Sequence, residues 1–204
     1  MGKKAIPVFC AVIVLSLVVS ALSFFGVFGG GANGAGVTVV KAPAQTEAGR
    51  PAGFPDPEEN WVKLPEGTNL AEGRPVSAGA ITDVYVVTNV NDGDTNSYWE
   101  SKGFPAEVTI TLDGTHTVST VVVRLNPAVI WEARTQGFSI LVSTDGNSFT
   151  EVVGDTKYNF DPGTGNMVRA DFSPAEAAYV RLIFSSNSAS RTGGAQAAEI
   201  MVFE

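Results

Sequence analysis

The chain of 204 residues is acidic, because it contains 21 Asp and Glu residues against 13 Lys and Arg residues and has a formal net charge of -8. This balance argues against nucleic acids and anionic lipid surfaces as partners, whereas neutral polymers and cations are compatible with it. The length allows one ordinary domain with an appendage.

The first 36 residues are predicted to export the rest of the chain. Lys3 and Lys4 precede an uncharged apolar stretch, residues 5–28, and roughly 20 apolar residues are enough to cross a bilayer. Residues 1–36 fit both a signal-anchor transmembrane helix and a signal peptide that is cleaved. Either alternative predicts an extracellular protein, anchored at the cell surface or secreted, that contacts the membrane only through this segment.

Residues 37–68 are predicted to be a linker, and residues 69–204 a folded domain. The linker is rich in Pro, Gly and Ala and lacks apolar periodicity, which is typical of a flexible connection. From Asn69 onwards, short runs of β-branched and aromatic residues alternate with turn residues, as expected for β-strands.

Apolar residues at every second position predict three strands of this domain. Their inward-facing side chains are Val108, Ile110 and Leu112; Phe138, Ile140 and Val142; and Val180, Leu182 and Phe184. Asp145 and Gly146 supply a hairpin turn after the second of these strands. Residues 173–178, SPAEAA, fit a helical turn with Ser173 as its N-cap and Pro174 at its first position. About eight strands in one domain predict an all-β fold, an antiparallel sandwich.

The residue types that most catalytic sites need are scarce. Nucleophilic triads and zinc sites require histidine or cysteine in most forms, and the single histidine, His116, lies between two predicted strands. Glycoside hydrolysis needs only two carboxylates, but nothing in the sequence places a chosen pair of acids across a cleft. We therefore expect a protein that is not an enzyme.

The stretch NVNDGDTNSYWES, residues 89–101, is rich in oxygen donors. Its Asp92–Asn96 part fits the D-x-D-x-N start of a calcium loop, but Ser97 and Gly103 stand where that template needs glycine and glutamate. Oxygen donors suit a hard cation such as Ca²⁺, and an ion could serve as a staple, because the only cysteine, Cys10, precedes the domain. The residues alone leave two alternatives open, namely half of a calcium site completed from elsewhere in the chain and an ion-free Asx-rich turn.

Six pieces of the chain occur in the order and spacing of a known family. They are NLAEGRPVSA, VNDGDTNSYWES, EVTITLDGTHTVSTVVVRL, FSILVSTDGNSFTEV, AAYVRLIF and AAEIMVFE. Together they resemble a coagulation factor 5/8 type C domain, also called discoidin or galactose-binding-like, a family that includes carbohydrate-binding module family 32 (CBM32). The resemblance covers residues 69–204 and implies an eight-stranded antiparallel jelly-roll β-sandwich.

The resemblance also implies a structural Ca²⁺ that joins the acidic loop to the last strand. The implied side-chain ligands are Asp92, Asp94, Ser97 and Glu199, and the implied backbone ligands are the carbonyl oxygens of Asn89 and Ala198. Ser97 replaces the commoner threonine and keeps its hydroxyl group. Trp99 would then be a core residue beneath the loop.

A sugar site is implied by WEARTQGFSILVSTDG and YNFDPGTGNMV, which are similar to stretches in bacterial modules attached to polysaccharide-degrading enzymes. Such a site needs an aromatic ring for the apolar sugar face and polar groups for the hydroxyls. The expected ligand-binding residues are Trp131, Arg134 and Gln136 from one loop, with Glu100 and Gln196 from neighbouring positions. Where related modules carry an aromatic residue in the last loop, this chain is small and polar.

Two functions follow from these expectations. The first is a non-catalytic extracellular carbohydrate-binding module, tethered or secreted, that holds a glycan or polysaccharide. The second is a cell-surface adhesion or assembly protein that binds a protein partner through the same loops, since one fold can host both functions. Phospholipid binding is disfavoured by the acidic balance of the chain.

Overall fold

The computed structural model describes residues 60–79, 81–189 and 193–204. The predicted export segment and most of the predicted linker lie outside these residues. In the part of the chain that is described, no helix has the length and apolar character needed to cross a membrane.

The domain is built from eight β-strands. They are β1 (Val76–Ala78), β2 (Trp99–Glu100), β3 (Ala106–Arg124), β4 (Arg134–Ser143), β5 (Thr150–Phe160), β6 (Met167–Asn187), β7 (Gln196–Ala197) and β8 (Glu199–Phe203). Three short 3₁₀ turns accompany them, Val87–Val90, Val129–Trp131 and Pro162–Thr164. All strand pairs are antiparallel, so the predicted all-β architecture is confirmed.

The two long strands, β3 and β6, organise the main sheet, whose order is β1-β3-β6-β4-β5. Residues 106–111 of β3 pair with residues 179–184 of β6, and residues 120–124 pair with residues 167–171. The ladder shifts register twice between these two parts, and such bulges bend a strand pair. β8 pairs only with the second part of β3, whereas β1 pairs with the first.

Both parts of the bent pair enclose the same apolar core. Val108 and Ile110 from the first part of β3, and Val121 and Val123 from the second, belong to one cluster of buried residues. Because one cluster receives side chains from both parts, the strand pair curves around it and supplies two layers of a sandwich.

The alternating pattern predicted from the sequence is present in the core. All nine side chains predicted to face inward are buried, namely Val108, Ile110, Leu112, Phe138, Ile140, Val142, Val180, Leu182 and Phe184. Trp99 is also fully buried and packs against Phe184, with ring centroids 5.7 Å apart. The tryptophan after the acidic loop thus belongs to the core.

The helical turn predicted for residues 173–178 is wrong, because these residues are part of β6. Ala175 pairs with Val118 of β3, and Pro174 lies where the ladder shifts register. A proline that lacks a backbone N–H is tolerated at such a bulge. Six residues are too few to form a stable helix alone, so pairing with β3 determines their conformation.

Residues just before the predicted start of the domain also pack on it. Val62 contacts a second buried cluster on β3, β6 and β8 and donates its backbone N–H to the Thr164 carbonyl at 3.2 Å. The guanidinium of Arg124 lies over the Trp61 ring, 4.9 Å from its centroid. These contacts extend the packed part of the chain to residue 61.

The short strands β2 and β7 form a separate two-stranded sheet in which Trp99 faces Ala197 and Glu100 faces Gln196. The backbones approach closely beside it, since a side-chain carbon added to Gly194 would collide with the carbonyl oxygen of Ser101. Glycine is therefore required at position 194 for steric reasons.

Replacement of Gly194 by alanine is expected to destabilise the fold by about 1–3 kcal/mol, the usual cost of overpacking. Gly79→Ala is the matched control, because the space around its added methyl group is open. Urea unfolding followed by tryptophan fluorescence measures both free energies. Equal stabilities of the two variants would contradict the close approach of residues 101 and 194.

The pKa of His116 is expected to lie above its ordinary value of about 6.5. Hydrogen bonds that the protonated ring donates raise this pKa, first the one to the Asp113 carboxylate at 2.8 Å and then the one to the Glu204 carboxylate at 3.4 Å. Because the protonated ring is the stabilised form, the stabilisation is present at low pH and is lost as pH rises through the raised pKa.

An NMR titration measures this pKa without ambiguity, because the chain has one histidine. Asp113→Asn should lower the value more than Glu204→Gln does. A wild-type pKa at or below that of an exposed histidine would rule out both contacts.

Candidate functional site

The β2–β7 sheet brings two distant parts of the chain together at one end of the sandwich. Beyond the paired residues, the Ser101 N–H donates to the Ala195 carbonyl at 3.0 Å, and the Ala195 N–H donates to the Ser101 hydroxyl at 2.8 Å. Glu100 and Gln196, which are separated by 96 positions, consequently become neighbours with a side-chain hydrogen bond.

The five residues predicted to bind a ligand lie together around Gln196. Its amide nitrogen donates to the Glu100 carboxylate at 2.7 Å, and its amide oxygen accepts from the Arg134 guanidinium at 2.6 Å. The Gln136 side chain accepts from the Gln196 backbone N–H and donates to its carbonyl, both at 2.9 Å. The Arg134 guanidinium in turn lies 5.1 Å from the centroid of the Trp131 ring.

These five residues differ in their access to solvent. Gln136 is fully buried, and Glu100 and Gln196 are 4% and 9% exposed. Trp131 and Arg134 are partly exposed. The surface of the site is therefore formed mainly by Trp131 and Arg134, and the other three side chains form the polar layer beneath.

Two tyrosines extend the aromatic surface, and the sequence analysis did not select them. Tyr98 meets Trp131 edge to face at 4.7 Å, and Tyr85 stacks on Tyr98 at 4.3 Å. Burial and the hydrogen bond with Tyr85 raise the pKa of Tyr98, so its hydroxyl stays protonated. Strand periodicity could have identified Tyr98, because successive side chains point to opposite faces and Trp99 was assigned to the core.

The acidic loop meets the start of β8. The backbone N–H of Gly93 donates to the Glu199 carboxylate at 2.9 Å. The Ser97 hydroxyl donates to the Asp92 carboxylate at 2.7 Å and contacts the Asp94 carbonyl oxygen at 3.0 Å. The predicted side-chain ligands therefore lie on one turn and on the strand end that faces it.

The remaining predicted metal ligands occupy the edges of this arrangement. The Asp94 carboxylate accepts hydrogen bonds from the backbone and side chain of Asn96, which lower the pKa of Asp94. The Asn89 side chain donates to the Tyr98 carbonyl at 2.9 Å. Ala198 is buried beside Glu199, and its N–H donates to the Arg124 carbonyl at 2.8 Å.

Among the acidic residues of this group, Glu199 is the one whose charged form is disfavoured. It is 3% exposed, and burial followed by the nearby Asp92 carboxylate raises its pKa to about 7. The buried Glu199 carboxylate is destabilised when it is charged beside the exposed Asp92 carboxylate, and a cation would relieve this repulsion. The described residues contain no group of three or more His, Cys, Asp or Glu side chains arranged to hold a metal ion, so a cation here would also need hydroxyl and carbonyl oxygens.

Comparison with known proteins agrees with the architecture. Residues 89–182 match an F5/8 type C family model described as the NedA-like, galactose-binding domain. No curated protein sequence matches the chain.

Three solved structures illustrate the similarity. The CBM32 of AlyQ, in complex with 4,5-unsaturated mannuronic acid, is 27% identical over 64% of this chain and 94% of its own, with a TM-score of 0.53. A family 89 glycoside hydrolase from Clostridium perfringens is 25% identical over 67% of this chain, with a TM-score of 0.55, but the match spans only 14% of that enzyme. A pectin binding carbohydrate binding module has the same fold at 21% identity, with a TM-score of 0.55 over 64% of this chain and 89% of its own.

The family resemblance read from the sequence is thus confirmed, since residues 89–182 match the F5/8 type C, galactose-binding-like family model and the domain has the jelly-roll fold of CBM32 modules.

Proposed function

We propose that this protein is a non-catalytic, extracellular glycan-binding module. The observation that carries the proposal is the Arg134 guanidinium, which lies over the Trp131 ring and is held by Gln196, itself bonded to Glu100. The sugar bound in the AlyQ module supports the proposal.

Each part of the site has a chemical role in this proposal. The Trp131 ring offers a flat apolar surface for the face of a sugar ring. Arg134 has five N–H donors, of which one contacts Gln196 and one contacts the Glu132 carbonyl, so further donors serve sugar hydroxyls. Gln136 holds Gln196 in place through its two backbone contacts.

The polar layer makes the site preorganised. Glu100 and Gln196 are fixed by each other and by strand pairing, so little side-chain freedom is lost when a ligand binds. Together they hold the Arg134 guanidinium at the surface, where its remaining donors could pair with neighbouring hydroxyls on a sugar ring.

Trp131→Ala and Arg134→Ala are each expected to weaken glycan binding at least tenfold, equivalent to about 1.4 kcal/mol. Retention of the full-length protein on polysaccharide gels and calorimetry with the retained sugar measure the change. Thr144→Ala, an exposed position on the β4–β5 turn, is the control and should bind like the wild type.

Unchanged binding by both site variants would place the glycan elsewhere on the domain. Failure of the wild-type protein to bind any glycan would reject the proposal and would favour a protein partner. Melting temperatures of all variants separate loss of binding from loss of fold.

We also propose a structural Ca²⁺ between the acidic loop and β8. Asp92, Ser97 and Glu199 would supply side-chain oxygens, with Asp94 and the backbone carbonyls of Asn89 and Ala198 completing the set. The buried Glu199 carboxylate facing Asp92 supports this assignment. When bound, the ion would neutralise the two carboxylates and join the two parts of the chain.

Calcium is expected to stabilise the protein by about 2.7 kcal/mol at a concentration 100 times its Kd, which corresponds to several degrees in Tm. Chelation should remove this stabilisation, and Asp92→Asn or Glu199→Gln should abolish the response to calcium. Glu151→Gln, at an exposed position on β5, should keep the response.

Calorimetric melting curves with calcium and with chelator provide the measurement. Identical curves for the wild-type protein under both conditions would remove the ion from the proposal and leave the ion-free turn as the explanation.

The proposed location outside the cytoplasm rests on the uncharged stretch at residues 5–28. A calcium site fits this location, because extracellular modules use sites with Kd values of about 10⁻⁴–10⁻³ M. The same stretch would make the protein either anchored at the surface or secreted.

A further inference from the structure

Exposed apolar side chains are concentrated next to the candidate glycan site. Val84, Val86, Val129 and Ile130 are 69%, 38%, 83% and 87% exposed. The fifth exposed large apolar residue in the described ranges, Leu64, lies near Glu199 instead. Apolar side chains grouped on a surface commonly mark a place of interaction.

The four side chains belong to two loops that the aromatic residues connect. Val84 and Val86 flank Tyr85, whereas Val129 and Ile130 directly precede Trp131. Tyr98 bridges the loops, because it stacks on Tyr85 and meets the Trp131 ring with its edge. The aliphatic residues thus adjoin, along the chain, the aromatic residues of the site.

Trp131 consequently lies between a polar region and an aliphatic region. On one side lies the Arg134 guanidinium, which Gln196 holds in place and which supplies hydrogen-bond donors. Towards the two loops, the aliphatic side chains have no group that can hydrogen-bond. A fully hydroxylated sugar would satisfy the first side only, because hydroxyls placed against aliphatic groups lose hydrogen bonds to water.

We propose that Val84, Val86, Val129 and Ile130 form an apolar subsite for an acetyl or methyl substituent of a neutral glycan whose sugar ring lies on Trp131. This inference rests on the proposed glycan-binding function and defines the class of ligand further. Burial of the substituent removes apolar surface of both partners from water.

Charge and area favour a substituted glycan over two other occupants. Asp83 and Glu132 are exposed beside the aliphatic residues, so an anionic lipid surface would be repelled. Four aliphatic side chains expose only a few hundred Å², whereas each partner in a stable protein interface buries about 800 Å². A small substituent needs no more area than these residues offer.

The test compares unmodified and lightly O-acetylated forms of three neutral polysaccharides, galactan, xylan and glucan, with the full-length protein. The wild type should bind the acetylated form of the retained polysaccharide at least fivefold more tightly. The double variant Val129→Ser/Ile130→Ser should bind both forms equally, with the wild-type affinity for the unmodified form. Leu64→Ser, the matched control away from the subsite, should keep the preference.

Val84→Ser, on the opposite loop, provides an independent variant if the double variant does not fold, and it should reduce the preference. Equal wild-type binding of both forms would overturn the subsite and leave the proposed function intact. Retention of none of the six polysaccharides would overturn the subsite, whereas the proposed function is rejected only if anionic polysaccharides are not retained either.

Two further measurements test whether a membrane or a second copy of the chain binds this surface instead. Wild-type binding to phosphatidylcholine or phosphatidylserine vesicles that the double variant lacks would overturn the proposal in favour of a membrane. Self-association in sedimentation velocity that the double variant lacks would overturn it in favour of a second copy of the chain.

Discussion

The two residue pairs of the β2–β7 ladder support the candidate functional site of this domain. On one face of the pair Trp99 enters the core, and on the other Glu100 meets Gln196. Gly194 permits the close approach of backbones that this pairing needs. Loss of these two residue pairs would separate the aromatic surface from its polar layer. Among the residues that the structure describes, no other strand pair contains both Glu100 and Gln196.

The same stretch of chain contributes to both proposed sites, which differ in their chemistry. In the polar layer, the Gln196 side chain accepts a hydrogen bond from the Arg134 guanidinium. Three positions later, the Glu199 carboxylate accepts one from the backbone N–H of Gly93 in the acidic loop. A cation at Glu199 would tighten the start of β8 and thereby the neighbouring β7. Structural ion and glycan would in this way share a support without sharing a ligand residue.

Alternation of apolar residues predicts the core well, because burial on one face of a strand requires a period of two, as at Phe138 and Ile140. Local residue preferences are misleading around Pro174. They suggest a helical turn, but pairing with β3 determines the conformation of these residues. The residues of the polar layer are predicted to lie together through family resemblance, since residue spacing cannot join positions 100 and 196. Family resemblance does not predict how exposed a side chain is, and the full burial of Gln136 is seen only in the packed structure.

The ladder between the long strands β3 and β6 involves none of residues 195–203. Residues 195–203, by contrast, supply β7 and β8 together, and both the Gln196 network and the Glu199 carboxylate come from them. Both proposed sites therefore depend on one segment of nine residues. Local opening of this segment alone would remove the proposed capacity to hold a sugar and the proposed capacity to hold an ion together.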